Sequence, residues 1–335
     1  MSWVRLLVVL CGLVTLVAFV VAAAWFYQSL VGAHSVGDAT IEIPAGHNAR
    51  EILADLHHQG LMPSPLAGRI YIRARADGRN LHYGRYVFAS GVRPIDVLEK
   101  ILDGNVEMFG VTVVEGSESD EIADSFVDLG VGTHQEWRSL RTRTDWIDAV
   151  VPGAPSLEGF FFPDTYRFAI GIPANIAARH MVDRFLEVWR SETPSIDSLW
   201  GSPLEVTTLA SLVEAETSVA RERGLIAGVF FNRLQRGMLL QCDPTVIYSL
   251  KRRGEWKGRL YRIHWEVDDP YNTYRYQGLP PGPINCPGRA ALVAAMSPDS
   301  TPFLYFVAKP DGGHTFSRTL TEHNRAVARL RASRR

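Results

Sequence analysis

From Leu6 to Phe26 the chain reads LLVVLCGLVTLVAFVVAAAWF, a run without a single charge. About 21 residues at the helical rise cross a hydrocarbon core of roughly 30 Å, which predicts a transmembrane helix over residues 6–27. Arg5 precedes the run, no Lys or Arg follows until Arg50, and Trp25 and Tyr27 stand where interfacial aromatics would sit. The positive-inside rule then puts residues 1–5 in the cytoplasm and the rest of the chain outside. A cleaved signal peptide, with Ala22 and Ala24 as an A-x-A-like site, is the alternative. The run is longer than a usual signal core and its polar lead is minimal, so an uncleaved anchor is the better reading. Cys11, inside it, serves as a small apolar filler.

Beyond a linker at residues 28–38, three segments share one plan. Ala39–Met62, Gly84–Asn105 and Val111–Val131 each give an alternating strand, a turn at Gly46, Gly91 or Gly116, and an amphipathic helix. These helices end at Gly60, Gly104 and Gly130. Their unequal spacing argues for a small α+β module over residues 39–110, with a second α+β segment at 111–155, and against a solenoid. Binding a polymer and acting as a spacer are equally open for such a module.

Residues 156–335 have a different texture. Aromatic and Pro/Gly clusters condense into Leu157–Phe168, Asp243–Leu250, Tyr271–Gly288 and Thr301–Thr319. Helical periodicity separates them, over Ile176–Glu192, Leu204–Ala220, Gly224–Arg236 and Gly288–Met296, and a helix-like tail carries Arg325, Arg329 and Arg331. Aromatic and amide-rich loops on a helical scaffold suit a groove for sugars, although ordinary turn chemistry explains any one cluster. The fold class is α+β: an N-terminal transmembrane helix, a small α+β module and a mainly helical domain with groove-forming loops and short strands.

The 335 residues hold 35 Lys+Arg against 36 Asp+Glu, which excludes a generally basic nucleic-acid binder and an acidic disordered chain. Three cysteines make no disulfide scaffold. The phosphate-loop, dinucleotide, G-x-S-x-G and H-E-x-x-H patterns are absent, and the ten His are scattered. A Cys242/His314 nucleophile pair has no supporting motif. Metal, nucleotide and serine-nucleophile chemistry therefore start low, and no cofactor is expected.

On a wheel of about 100° per residue, Val206, Leu209, Leu212, Val213, Val219 and Ala220 form one apolar stripe with Glu216 in its middle. Glu214 points the other way with Thr207, Ser211 and Ser218, as a solvated surface charge would. Desolvation raises the pKa of a carboxyl on an apolar face, which suits a general acid for a glycosidic oxygen. A buried Glu216 paired to Arg233 for structure alone fits the same pattern.

The block LASLVEAETSVARERGLIAGVFFNRLQRGMLLQCDPTVIYSL (Leu209–Leu250) resembles the endolytic murein transglycosylase family, also called YceG-like. LEGFFFPDTY, YNTY, GLPPGPI and GGHTFSRTLTEHN resemble its other blocks in the same order, so the similarity spans essentially the whole chain. It implies an inner-membrane anchor, a LysM-like module at 39–110 and a catalytic domain at 156–335. It implies further that Glu216, followed by Thr217, is the catalytic acid. The substrate would be peptidoglycan, cut at the β-1,4 bond between N-acetylmuramic acid and N-acetylglucosamine to leave 1,6-anhydro ends, beside the synthases that elongate the strands. Candidate groove residues are Asn232, Gln241, Asp243, Thr245, Tyr248, Tyr271, Asn272, Tyr274 and Asp164. A non-catalytic peptidoglycan-binding scaffold and a hydrolysing muramidase are the competing readings.

The chain departs from that family where Thr would stand in the Q-T-D-P-T block and before P-G: it carries Cys242 and Cys286. Both fall in the disulfide-permissive compartment on this topology, so a bridge closing a loop of about 45 residues is expected. Two small buried thiols are the alternative.

Overall fold

The computed structural model describes residues 2–32, 37–44, 46–75, 81–192 and 201–333. Two compact units emerge, Met1–Gly110 with Arg167–Pro173, and Val111–Tyr166 with Ala174–Arg335. In the first, helix α1 (Ser2–Val31) is exposed along its apolar length, and the stretch Trp3–Val31 is long and apolar enough to cross a membrane. The most apolar 18 residues within it have a mean hydropathy of 3.0. The last turn of α1 differs from the expected linker. Ser29 and Leu30 are buried, and Phe26 and Val31 pack on the core of the small unit, so the helix continues through residues read as a spacer. Residues 33–36 of that linker lie outside the described residues.

The small unit is built in the order β1 (Ala39–Ile43), α2 (Ala49–His58), α3 (Pro65–Arg75), β2 (Gly84–Phe88) and α4 (Pro94–Leu102). Strands β1 and β2 pair antiparallel with Ile41 opposite Tyr86, and their inward residues meet Leu53, Leu56, Leu98 and Ile101 of the helices. Asn48 caps α2 by accepting from the amides of Arg50 and Glu51, while Glu51 returns a bond to the Asn48 amide. Turn glycines Gly46, Gly91 and Gly116 all take positive φ, as do the helix-ending Gly60, Gly104 and Gly130. That conformation is why the repeated plan needs glycine there. Strand β3 (Met108–Thr112) then pairs with β4 (Thr165–Ala169), and the chain passes from one unit to the other along both.

In the second unit, α5 (Ser119–Asp128), α6 (His134–Arg141) and α7 (Ala174–Glu192) close over an aromatic core. Phe126 and Trp137 lie 4.9 Å apart, and Phe160 meets Phe185 edge-on at 4.9 Å. Within it Glu158 is buried, accepting from the Ser119 amide and hydroxyl, and burial raises its carboxyl to about 7. Helix α8 (Pro203–Glu216) forms the axis, opened by Ser202, which accepts from the Glu205 amide, with Pro203 in its first turn. Against it pack α9 (Arg223–Gln235), α10 (Asp243–Arg252) and α11 (Arg289–Met296). Every residue of α8 from Val206 to Val213 is buried. Gly228 lets α9 touch the backbone of Asp299, where a Cβ would come within 2.4 Å of the carbonyl oxygen. The hairpin β5 (Tyr305–Ala308) and β6 (His314–Ser317) and the terminal α12 (Leu320–Ser333) complete the unit.

Two expectations change here. Asp243–Leu250, read as a groove loop, is helix α10, because Asp-Pro-Thr chemistry starts a helix as readily as it makes a turn. The helix expected to reach Ala220 stops at Glu216, and Thr217 leaves it in extended conformation, its hydroxyl accepting from the Val219 amide.

Candidate active site

Glu216 therefore stands at the C-terminal end of the central helix, where it lines a cavity of about 310 Å³. Arg233 of α9, Asp243 of α10 and Tyr274 line it too, as do Phe306 and His314 of the hairpin and His323 of α12. Burial raises the Glu216 carboxyl to about 6; the neighbouring Asp243 pushes the same way, while the Cys242 thiol, His314 and Arg233 pull back. A carboxyl poised there is protonated often enough near neutral pH to donate, and ionised often enough to accept.

Arg233 is not its salt-bridge partner. The guanidinium donates to the carbonyls of Leu304 and Leu240, each at 2.7 Å, and of Leu239 at 3.3 Å, tying α9 to the hairpin and to the loop before α10. Its charge reaches Glu216 through space and favours the carboxylate without neutralising it by contact.

Glu214, expected on a solvated face, is 7% exposed. Its Oε2 accepts from the Gly288 amide at 3.0 Å, and Arg223, 11% exposed, lies 3.5 Å from its other oxygen. The face it shares with Thr207 and Ser211 is interior because α8 is buried all round from Val206 to Val213. Ser211 donates to the Thr208 carbonyl and accepts from the Ile284 amide, which satisfies that polar face inside the protein.

The expected bridge between Cys242 and Cys286 is absent; both are free, buried thiols. The Cys242 thiol bonds the Glu216 carboxyl, and burial together with that carboxylate pushes it well above the usual thiol range. Cys286 accepts from the backbone of Gly159 and Phe161, on a segment bonded to Gly116 and Ser117. A shared compartment did not make the two sulfurs partners.

Of the groove candidates, Gln241, Asp243 and Tyr274 reach the cavity. Gln241 is the one non-glycine residue with positive φ among the described residues, +50°, a locally strained conformation beside the site. Tyr274 donates to Asp243 Oδ1 at 2.6 Å. The other six bond within the scaffold. Asn232 donates to the carbonyls of Thr301 and Phe303, and Thr245 to that of Cys242. Tyr248 packs against Tyr271 with ring centroids 5.0 Å apart, Asn272 donates to the carbonyls of Trp265 and Val267, and Asp164 accepts from Arg184.

The reading of the sequence passed over a buried pair. His314 Nδ1 lies 2.7 Å from Glu222 Oε2, and the His314 amide donates to Oε1 of the same carboxylate at 3.2 Å; their side chains are 6% and 7% exposed. Burial alone would raise Glu222, but the bonds from His314 more than offset it and hold the carboxyl below its usual value. With one ring nitrogen and the backbone both held, the imidazole is fixed at the cavity wall. Among the described residues no three His, Cys, Asp or Glu side chains converge as metal ligands.

Fold and site together define an α+β protein with a desolvated carboxylic acid at the end of its central helix and polar and aromatic groups around it. The chain belongs to the YceG-like family, whose sequence profile matches residues 41–329. It is 31% identical over 313 residues to the endolytic murein transglycosylase of Bacillus subtilis (strain 168), covering 88% of this chain and 85% of that one. The Streptococcus pneumoniae serotype 2 (strain D39) protein of the same name is 27% identical over 331 residues, and the match spans 59% of its length. A crystal structure of a yceG-like protein from Listeria monocytogenes superposes with a TM-score of 0.60 at 30% identity, covering 86% of this chain and 98% of that one.

Proposed function

We propose that this protein is a membrane-anchored lytic transglycosylase that cuts within nascent peptidoglycan strands. The bond cleaved is the β-1,4 link from N-acetylmuramic acid to N-acetylglucosamine, and the cut ends elongation of that strand. One observation carries the reading: Glu216, the last residue of α8, is raised by burial to about 6 in a cavity flanked by hydroxyl, amide and aromatic groups. The names of the relatives agree with it. Protonated Glu216 gives its proton to the glycosidic oxygen as the bond from C1 breaks and positive charge develops on the sugar ring. As carboxylate it then takes the proton of the muramyl 6-hydroxyl, whose oxygen bonds to C1. No water is consumed and one carboxyl serves both halves, unlike the two-carboxylate hydrolytic plan. In this reading α1 anchors the chain in the inner membrane with its N-terminus in the cytoplasm, which places the site outside, beside the synthases. The β1–α2–α3–β2 order supports a LysM-like glycan-binding role for the small unit.

Hydrolysis has one observation in its favour, since Asp243 offers a second carboxylate in the same cavity. Mass spectrometry of products from uncross-linked glycan polymer and the full-length protein in detergent separates the readings. Ends one water lighter than reducing muramic acid are expected. Reducing ends would make the protein a muramidase, and intact polymer would make it a binding scaffold.

A further inference from the structure

Trp265 lies in a short 3₁₀ turn, Arg262–Glu266, between α10 and α11, and nothing in the chemistry above uses it. Its ring stacks on Tyr274 with centroids 5.3 Å apart and planes 14° from parallel. The indole Nε1–H donates to Asp243 Oδ1 at 3.2 Å, the same oxygen that accepts from the Tyr274 hydroxyl. Asn272, fully buried, grips the turn from inside through the Trp265 carbonyl at 3.1 Å. Trp265 is thus pinned at its edge, at its backbone and against Tyr274, yet it remains 38% exposed. A large aromatic so firmly held gains little by facing solvent unless something covers it. Asp243 and Tyr274 both line the Glu216 cavity, so the indole packs against two residues of its wall.

In a β-1,4-linked glucosamine-type polymer the ring substituents are equatorial, and each pyranose face presents C–H groups. Those faces match the electron-rich face of an indole, which attracts the positive edges of C–H bonds. We infer that Trp265, backed by Tyr274, is a stacking subsite for a pyranose of the glycan strand, next to the sugars held in the Glu216 cavity. The inference rests on the glycan-cleaving reading above and adds a place where strand length is felt. Because the ring touches a sugar that does not react, its contribution belongs to binding and not to the chemical step.

The test uses the full-length protein in detergent with two probes, a β-1,4-linked pentamer of N-acetylglucosamine and uncross-linked peptidoglycan polymer. Hydroxyl-radical footprinting of the wild-type protein, read by mass spectrometry, should show Trp265 oxidised severalfold more slowly when the pentamer is bound. Trp265→Leu should raise KM for polymer about tenfold with kcat within about twofold, and Trp265→Phe, which keeps a ring face, should stay near wild type. Unprotected Trp265 overturns the inference, as does equal loss in both variants, or a fall in kcat at unchanged KM. Should neither variant keep the wild-type thermal transition, the footprint decides alone. Protection of Trp265 without cleavage of polymer would sink the catalytic reading and keep the subsite; cleavage with Trp265 unprotected would sink the subsite only.

Discussion

Glu216→Gln is expected to leave a folded protein that has lost at least about 10²–10⁴-fold of its glycan-cleaving activity. Glutamine keeps the shape and one acceptor but neither donates the proton nor takes it back. Stability should move slightly in the other direction. Burial raises the folded-state carboxyl from its ordinary 4.5 to about 6. Below 4.5 both states are protonated and the shift contributes nothing; as pH rises through that window the unfolded state ionises first, and the native state loses ground. At pH 7 the neutral glutamine escapes this cost, partly offset by the altered bond to Cys242. Initial rates on polymer and a melting curve of the same preparation check both halves. A variant that retains activity removes Glu216 from the mechanism, and one that is unfolded shows that the side chain is structural.

Glu214→Ala, two positions away, should fail in the opposite manner. It strips the partner from Arg223, which is 11% exposed, and leaves the Gly288 amide at the start of α11 without its acceptor. Removing one member of a buried ion pair costs about 3–5 kcal/mol, which for a unit of this size lowers Tm by roughly 6–20 °C. Glu115, 4.0 Å from the same guanidinium, keeps the loss toward the lower end. Cleavage per folded molecule, measured well below the new Tm, should stay within a few-fold of wild type, since the acid itself is untouched. An unchanged Tm would mean that Glu214 does not hold α8 to Arg223 of α9 and to the start of α11.

The contrast between these two glutamates shows where the sequence was legible. A helical wheel separates them correctly by direction, and the Glu216 direction does lead to a cavity. The wheel also assumes one whole face in water, whereas α8 is buried all round from Val206 to Val213, so Glu214 was misplaced. Turn glycines were readable because positive φ has few other hosts, and α7 because its apolar periodicity is long. Helix α10 was hidden by an opening that serves turns and helices alike. The end of α1 was read as spacer because nothing local announces that Leu30 packs into a core formed further along. His314 and Glu222 are 92 positions apart, and no spacing pattern links them before β6 returns toward the start of α9. The cysteines erred the other way: a shared disulfide-permissive compartment suggested a bridge, while each sulfur has its own bonding partners.

The most direct test follows a single proton. The Glu216 carboxyl can be titrated by carbon NMR in the full-length protein, identified as the signal missing from Glu216→Gln, while kcat/KM on uncross-linked glycan polymer is measured over the same pH range. The expected result is one carboxyl titrating at about 6 and a kcat/KM that is level below that pH and falls about tenfold per unit above it, with the two midpoints coinciding. A Glu216 carboxyl titrating near the ordinary 4.5, or a kcat/KM without that descending limb, would contradict the assignment of Glu216 as the proton donor.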